Sequence, residues 1–273
     1  MLLGYNTNGL QNHRLDEALQ LLADHGYQAV ALTLDVPHLD PFNSSPREVS
    51  RIATLLDRLG LQPTIETGAR FVLDPQRKHE PTLMTRDAEG RERRLDFYRR
   101  CARMGQDLDA RVLSFWSGAD HSPGSDSRDW LYEGVVRACE AIRSQGIEPA
   151  FEPEPGMAVE TVADWAAMAA ALGDASPSLC LDIGHLYVTG EGPTDEIVSA
   201  HVDRIRQVHL EDIKAGIHEH LLPGQGDMDF CGVRKALENA AYQGPVCFEL
   251  SRSSHMAPQA VALCRETWEA SGH

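Results

Sequence analysis

Short strand-like runs and helix-like segments alternate from end to end of this 273-residue chain. Between the runs, apolar residues recur at the three- and four-residue spacing of an amphipathic helix, as in Leu15, Ala18, Leu19 and Leu22. The strand-like runs lie at residues 2–5, 29–36, 63–67, 111–116, 149–152, 179–183, 207–210 and 246–250. Eight strand-and-helix units without a linker predict an α/β chain folded as a single (β/α)₈ barrel over residues 1–273.

Residues typical of helix ends support these units. Gly146 closes a helical segment that is predicted to begin near Asp129. Gly60 follows the second helical segment, and Ser45 with Pro46 supplies an N-cap and a first-turn proline for it. An open doubly wound sheet is the alternative fold. Its usual Gly-x-Gly-x-x-Gly turn after the first strand is absent here, which favours the barrel.

Composition narrows the classes of function. The formal net charge of -16 argues against a surface for nucleic acid, which needs clustered Lys and Arg, and suits a site that attracts cations. Six scattered cysteines without a Cys-x-x-Cys pair indicate reduced thiols. No apolar run approaches the ~18 residues of a membrane span. We therefore expect a cytoplasmic protein with a small-molecule substrate and no membrane partner, and a homodimer as the default assembly.

Ionisable residues stand at the ends of the last four predicted barrel strands: Glu152, Asp182, His209 and Glu249. Because barrel strands tilt, their carboxyl ends converge, and these groups can meet around one point. One buried carboxylate could be held by a salt bridge, but several together repel unless a cation neutralises them. The pattern predicts a divalent metal. We expect Mn²⁺, although such donor sets also accept Mg²⁺, Co²⁺, Fe²⁺ or Zn²⁺.

Five short segments, in this order, carry a family resemblance. They are Phe-Glu-Pro-Glu-Pro-Gly at 151–156, Leu-Asp-Ile-Gly-His at 181–185, Val-His-Leu-Glu-Asp at 208–212, Gly-Gln-Gly at 224–226 with Asp229, and Phe-Glu-Leu at 248–250. With them the chain resembles the xylose-isomerase-like barrel superfamily. That group includes sugar isomerases, ketose 3-epimerases, inosose dehydratases and endonucleases of the endonuclease IV type.

The resemblance implies roles for individual residues. In the epimerase and isomerase branches, the positions matching Glu152, Asp182, His209 and Glu249 hold the metal, and the two glutamates are also the catalytic acid and base. Such a pair suits proton transfer next to a metal-bound carbonyl. His185 resembles the family histidine that contacts the substrate or a second metal.

Three nearby residues leave alternatives open. Glu154 competes with Glu152 as a ligand, but the flanking prolines indicate that the strand has ended, which favours a supporting or substrate-binding role. His218 and His220 resemble part of the zinc-binding segment of endonuclease IV, so they bind either a second metal or the substrate. The predicted ends of strands three and four lack the histidines of a trinuclear site.

The sequence predicts two long loops after strands, from Gly68 to about Gly90 and from Lys214 to Phe230. The first of them, after the third strand, is basic. Arg70, Lys78 and His79, with Arg77, are candidates to bind a phosphate or carboxylate of the substrate. At the end of the fourth strand, Trp116 could stack on a sugar. Weaker candidates for hydroxyl contacts are Asn6, Asn8, Asp35 and His38.

Three functions are compatible with these observations. The first is a metal-dependent isomerase or epimerase that acts on a sugar, sugar acid or polyol derivative. The second is a zinc phosphodiesterase similar to AP endonucleases or, closer to the first, an inosose-type dehydratase. The third is a binding barrel without catalysis, which the complete set of predicted ligands disfavours.

Overall fold

The computed structural model describes residues 1–121 and 124–272, and its strands confirm the predicted (β/α)₈ barrel. The strands are β1 (Leu2–Asn6), β2 (Ala29–Thr33), β3 (Gln62–Glu66), β4 (Val112–Phe115), β5 (Glu148–Phe151), β6 (Ser178–Asp182), β7 (Ile205–Leu210), β8 (Asp212–Lys214), β9 (Ile217–Leu221) and β10 (Pro245–Phe248). The barrel runs β1-β10-β7-β6-β5-β4-β3-β2, and each neighbouring pair is parallel. The four strands that precede the predicted ligands, β5, β6, β7 and β10, are therefore consecutive in space.

Helices connect the strands. They are α1 (Leu15–Asp24), α2 (Pro46–Leu59), α3 (Ala88–Asp107), α4 (Ser125–Arg143), α5 (Val162–Leu172), α6 (Ile183–Thr189), α7 (Thr194–His201), α8 (Phe230–Asn239) and α9 (Ala257–Ala270). The predicted start of α2 is confirmed, because the Ser45 side chain accepts a hydrogen bond from the Glu48 amide at 3.2 Å. Gly60 ends this helix with φ +67°, a left-handed conformation that glycine adopts without strain.

Apolar strand residues fill the barrel and the layer between barrel and helices. All five residues of β2 are buried, as expected for a parallel strand that is covered on both faces. Between the barrel and its helices, Phe115 of β4 and Phe151 of β5 meet edge to face with ring centroids 5.3 Å apart. This packed interior fixes the strand ends on which the site is built.

Two local features differ from the sequence-based predictions. The segment that follows β7 contains the antiparallel hairpin β8–β9, where a loop was expected. The two histidines of β9 are half-buried and alternate with Ile217 and Glu219, which are exposed, so the segment lacks the buried apolar face of a typical strand. In addition, α4 starts at Ser125 rather than near Asp129, because polar residues form its first turn.

Five of the six cysteines are buried, Cys231 is exposed, and all six are free thiols, as expected. Among the described residues, no helix combines the length and the apolar character that crossing a membrane requires.

Candidate metal centre and its pocket

The four predicted ligands come together at the carboxyl end of the barrel. One ligand atom from each of Glu152, Asp182, His209 and Glu249 lies within 4.8 Å of the others. Asp182 and His209 are the register partners of β6 and β7, and the two glutamates directly follow β5 and β10. Adjacent parallel strands thus deliver all four side chains to one end of the barrel.

His209 occupies the middle of this group. Its Nδ1 atom lies 2.9 Å from Oε1 of Glu152 and 3.0 Å from Oε2 of Glu249, and its side chain is fully buried. Asp182 is also buried, and its Oδ2 atom has no hydrogen-bond partner. A buried carboxylate oxygen without a partner is unfavourable, and a cation bound among these oxygens would satisfy it. The donor set of three carboxylates and one imidazole fits a divalent ion.

Electrostatics show the same need for a cation. Burial raises the pKa of Glu152 well above its ordinary value, and repulsion from Glu66 and Glu249 adds to this, against the attraction of His209. Burial also acts on Glu249, but hydrogen bonds from His209 and Asn8 outweigh it and lower the pKa of that carboxyl group. The pKa of Glu152 is therefore raised and that of Glu249 is lowered, although both carboxyl groups contact the same imidazole.

Glu66, at the end of β3, contacts the ring nitrogen of His209 that does not face Glu152 and Glu249. No role was predicted for Glu66 from the sequence. Its Oε1 atom lies 3.1 Å from Nε2 of His209 and accepts a hydrogen bond from Gln207 at 2.5 Å. Its Oε2 atom accepts a hydrogen bond of 2.5 Å from Ser114. An ionisable residue at a strand end was the available signal, the same one that identified Glu152.

The two asparagines after β1 also contact the site. Asn8 donates a hydrogen bond of 2.6 Å to Oε1 of Glu249, and Asn6 donates one of 3.4 Å to Oε2. The weak prediction for these asparagines was a contact with substrate hydroxyls. The structure places them on the Glu249 carboxylate and also on the wall of the neighbouring cavity, so a contact with the substrate stays a prediction.

His185 lies in the first turn of α6, beside the four-ligand group. Its Nδ1 atom is 2.8 Å from the Pro153 carbonyl, which can only accept, so Nδ1 carries the proton. Its Nε2 atom lies 3.2 Å from Nε2 of His218 and 3.9 Å from Oε2 of Glu154. Glu154, His185 and His218 form a second group whose ligand atoms lie within 4.8 Å of one another. Both roles considered for these residues, a second ion or the substrate, fit this geometry.

Glu211 is a second residue that the sequence analysis left without a role. It is fully buried, both of its carboxylate oxygens lack hydrogen-bond partners, and with Asp182 and His185 it forms another group of metal-ligand geometry. Gly184 leaves room for the Glu211 side chain, because a Cβ atom at position 184 would collide with the Glu211 carboxylate. His220 approaches from β9, with Nδ1 3.9 Å from Oε2 of Glu211.

The Gly-Gln-Gly segment has a structural role. Oδ2 of Asp212 accepts hydrogen bonds of 2.8 Å from the amides of Gly224 and Gly226. Asp229 caps α8 by accepting a hydrogen bond of 3.0 Å from the Gly232 amide. These contacts fix the turn between β9 and α8.

A cavity of about 140 Å³ opens over the four-ligand group. Of the predicted residues it is lined by Asn6, Asn8, Glu152, Glu249, Glu154, His220, Trp116, Arg70, Lys78 and His79. His185 and His218 lie beside it rather than on its wall. Asp35 and His38 are not among its lining residues, and His38 Nε2 is 3.0 Å from the carbonyl of His13.

Comparison with known proteins identifies the family. A family model described as xylose isomerase-like TIM barrel matches residues 19–267. Among solved structures, D-allulose 3-epimerase from Methylomonas sp. superposes with a TM-score of 0.80 at 17% identity, covering 99% of this chain and 98% of that one. D-psicose 3-epimerase from Clostridium cellulolyticum H10 gives 0.78 at 14% identity, with 99% and 96% covered. At these identities the matches show the shared fold.

Curated relatives match over a shorter stretch. Inosose dehydratase from Lacticaseibacillus casei is 26% identical over 149 residues, which cover 48% of this chain and 50% of that protein. Inosose dehydratase from Geobacillus thermodenitrificans (strain NG80-2) is 27% identical over 146 residues, or 46% and 48%. The chain spans about half the length of the curated relatives it matches.

Proposed function

The chain belongs to the xylose isomerase-like TIM barrel family, and we propose that it is a metal-dependent isomerase or epimerase of a sugar, sugar acid or polyol derivative. The observation that carries this proposal is the convergence of Glu152, Asp182, His209 and Glu249 within 4.8 Å, beside a cavity that the two glutamates line. The 3-epimerases of the same fold support it.

In the proposed reaction, these four residues hold one divalent ion. When bound, the ion would polarise a substrate carbonyl and its neighbouring hydroxyl and so acidify the C–H bond between them. One of the two glutamates, Glu152 or Glu249, removes that proton, and the other delivers a proton to the opposite face. Asn8 holds the Glu249 carboxylate in a fixed orientation for this transfer.

Finer properties are part of the same proposal. We expect Mn²⁺ as the ion, a cytoplasmic location consistent with six free thiols, a homodimer, and one functional domain over residues 1–273. Metal analysis of freshly purified protein tests the first of these. Sedimentation equilibrium tests the assembly.

A dehydratase of the inosose type is the second candidate, favoured by the inosose dehydratases among the relatives. It would use the same ligands and the same first proton removal, but the substrate would then lose a hydroxyl group as water. Product analysis separates the two candidates. A mass loss of one water indicates dehydration, and an unchanged mass with inverted configuration indicates epimerisation. The phosphodiesterase alternative is not favoured, because β3 ends in Glu66 and β4 in Phe115, without the histidines of that branch.

The proposal is tested by proton exchange. Protein loaded with Mn²⁺ is incubated in D₂O with a panel of ketoses, keto acids and polyol ketones, and deuterium next to the carbonyl is followed by NMR. Glu152→Gln and Glu249→Gln should each reduce exchange by about 10²–10⁴-fold, the usual contribution of an acid or base. Glu148→Gln, at the opposite end of β5, is the matched control and should retain activity. Near-normal exchange in either site variant would refute the paired-carboxylate mechanism.

A further inference from the structure

Two cations line the same cavity as the proposed acid and base. Arg70 and Lys78 come from the loop after β3, and both contribute to the wall of the pocket that contains Glu152 and Glu249. The floor of this pocket is acidic and the whole chain carries a net charge of -16, so free positive charge here is unusual for this protein.

Neither cation forms an ion pair with a carboxylate of the described residues. Among the described residues, no carboxylate oxygen forms an ion pair within 4.0 Å of Arg70 or Lys78, and the Arg70 guanidinium donates to the side-chain oxygen of Gln11. Arg77 of the same loop behaves differently, because it pairs with Asp74 at 2.8 Å and does not line the cavity. Of these three cations, one is engaged by the protein and two are available to a ligand.

The loop is held in place by a buried arginine. Arg94 of α3 is 1% exposed and donates hydrogen bonds to the carbonyls of His79 and Pro81, the first of them very short and the second 2.7 Å long. Its guanidinium carbon also lies 5.4 Å from the centre of the Trp116 ring. The backbone beside Lys78 is thus anchored to the barrel, so the cations belong to a fixed wall rather than to a loose surface segment.

From this arrangement we infer that the substrate carries an anionic group, a carboxylate or a phosphate, which Arg70 and Lys78 bind while its polyhydroxy ketone end lies at the glutamates. This inference rests on the proposed function and narrows its substrate class to acidic sugar derivatives. A planar guanidinium and an ammonium are the side chains that bind such oxyanions.

The local electrostatics favour an anion beside these two cations. Burial, and then repulsion by Arg70, lowers the pKa of Lys78, while Glu154 acts on it only from beyond ion-pair distance. Arg252 adds a third positive charge near Lys78 but is engaged by Glu219 at 3.8 Å. A bound anion would relieve the repulsion between the unpaired cations.

The test uses three probes that differ at one end only: a ketohexose, its terminal phosphate ester, and the corresponding acid with a terminal carboxylate. Their affinities for the Mn²⁺-loaded protein are measured by calorimetry. We expect one of the two anionic probes to bind roughly tenfold or more tightly than the neutral ketose. The tighter of the two identifies phosphate or carboxylate as the group recognised.

Variants assign the preference to the cations. Arg70→Gln and Lys78→Gln should each remove most of the preference, and Arg77→Gln, one position from Lys78, should leave it unchanged. Equal affinity for neutral and anionic probes, binding of none of them, or a preference that survives both substitutions would overturn the inference. Proton exchange on a neutral ketose with no anion preference would leave the proposed function standing without it. Anion binding that depends on Arg70 and Lys78, without proton exchange, would refute the proposed function and leave the anion site standing.

Discussion

Oε1 of Glu66 lies 3.1 Å from Nε2 of His209, while Nδ1 of the same ring faces Glu152 and Glu249. Because Glu66 can accept the Nε2 proton, Nδ1 can offer its lone pair to an ion among the carboxylates. The contact also fixes the orientation of the ring. Glu66 therefore orients His209 for metal binding and is not itself one of the four proposed metal ligands.

Glu66→Gln should weaken metal binding, because an amide supplies one acceptor oxygen where the carboxylate serves His209, Gln207 and Ser114. We expect a loss in affinity of about 10–100-fold, measured by competition with a fluorescent chelator. Glu148→Gln, which changes a carboxylate at the other end of the barrel, is the control. Unchanged affinity in Glu66→Gln would show that the ring is oriented by other contacts.

Removing the metal should destabilise the protein, because Glu152, Asp182 and Glu249 would then be packed together without a cation. At a metal concentration of 100 times Kd, binding stabilises the folded state by about 2.7 kcal/mol, or roughly 5–10 °C in Tm. Differential scanning calorimetry with and without chelator measures this shift. Asp182→Asn should melt at the same temperature in both conditions. A wild-type Tm that changes neither with chelator nor with added metal would contradict the proposed metal centre.

His79 should make the protein sensitive to acid. Burial, and then the charges of Lys78 and Arg94, lower its pKa to about 4, against the effect of its hydrogen bond to Gly68. Between pH 4 and the ordinary value near 6.5, the unfolded chain binds a proton at this residue that the folded protein does not. Stability from this group is complete above pH 6.5 and falls as the pH falls towards 4, by at most about 1.4 kcal/mol per pH unit.

Urea unfolding across this pH range measures the effect. His79→Gln keeps a donor for the Gly68 carbonyl and should give a shallower dependence of the unfolding free energy on pH. His255→Gln removes an exposed imidazole and should leave the dependence as it is in the wild type. Parallel curves for wild type and His79→Gln would mean that His79 is protonated equally in both states.

Arg94→Met should loosen the basic loop, since the carbonyls of His79 and Pro81 would lose a buried donor. We expect a loss of about 2–4 kcal/mol in the free energy of unfolding and faster hydrogen exchange over residues 68–87. Arg103→Met, an exposed arginine on the same helix, should change stability by less than about 0.5 kcal/mol. Unchanged exchange in Arg94→Met would show that the loop is anchored elsewhere.

The sequence was sufficient for the barrel and for the residues that converge at its end. Apolar runs and helical spacing report which residues are buried, so alternation gave eight strands, and a polar residue after an apolar run marked each of Glu152, Asp182, His209 and Glu249. The same rule could have selected Glu66 and Glu211, but only the fold shows that both are buried and that one of them meets His209.

Tertiary structure alone decided the pairings. His209 and Glu66 are 143 residues apart, and their contact depends on strand order and side-chain rotamers, which no local pattern encodes. The basic loop is a second case. Arg70, Arg77 and Lys78 are all cations in the sequence, and nothing there distinguishes them. In the structure, Arg77 pairs with Asp74, whereas Arg70 and Lys78 line the cavity. Periodicity depends on neighbours along the chain, whereas a site depends on distances through space.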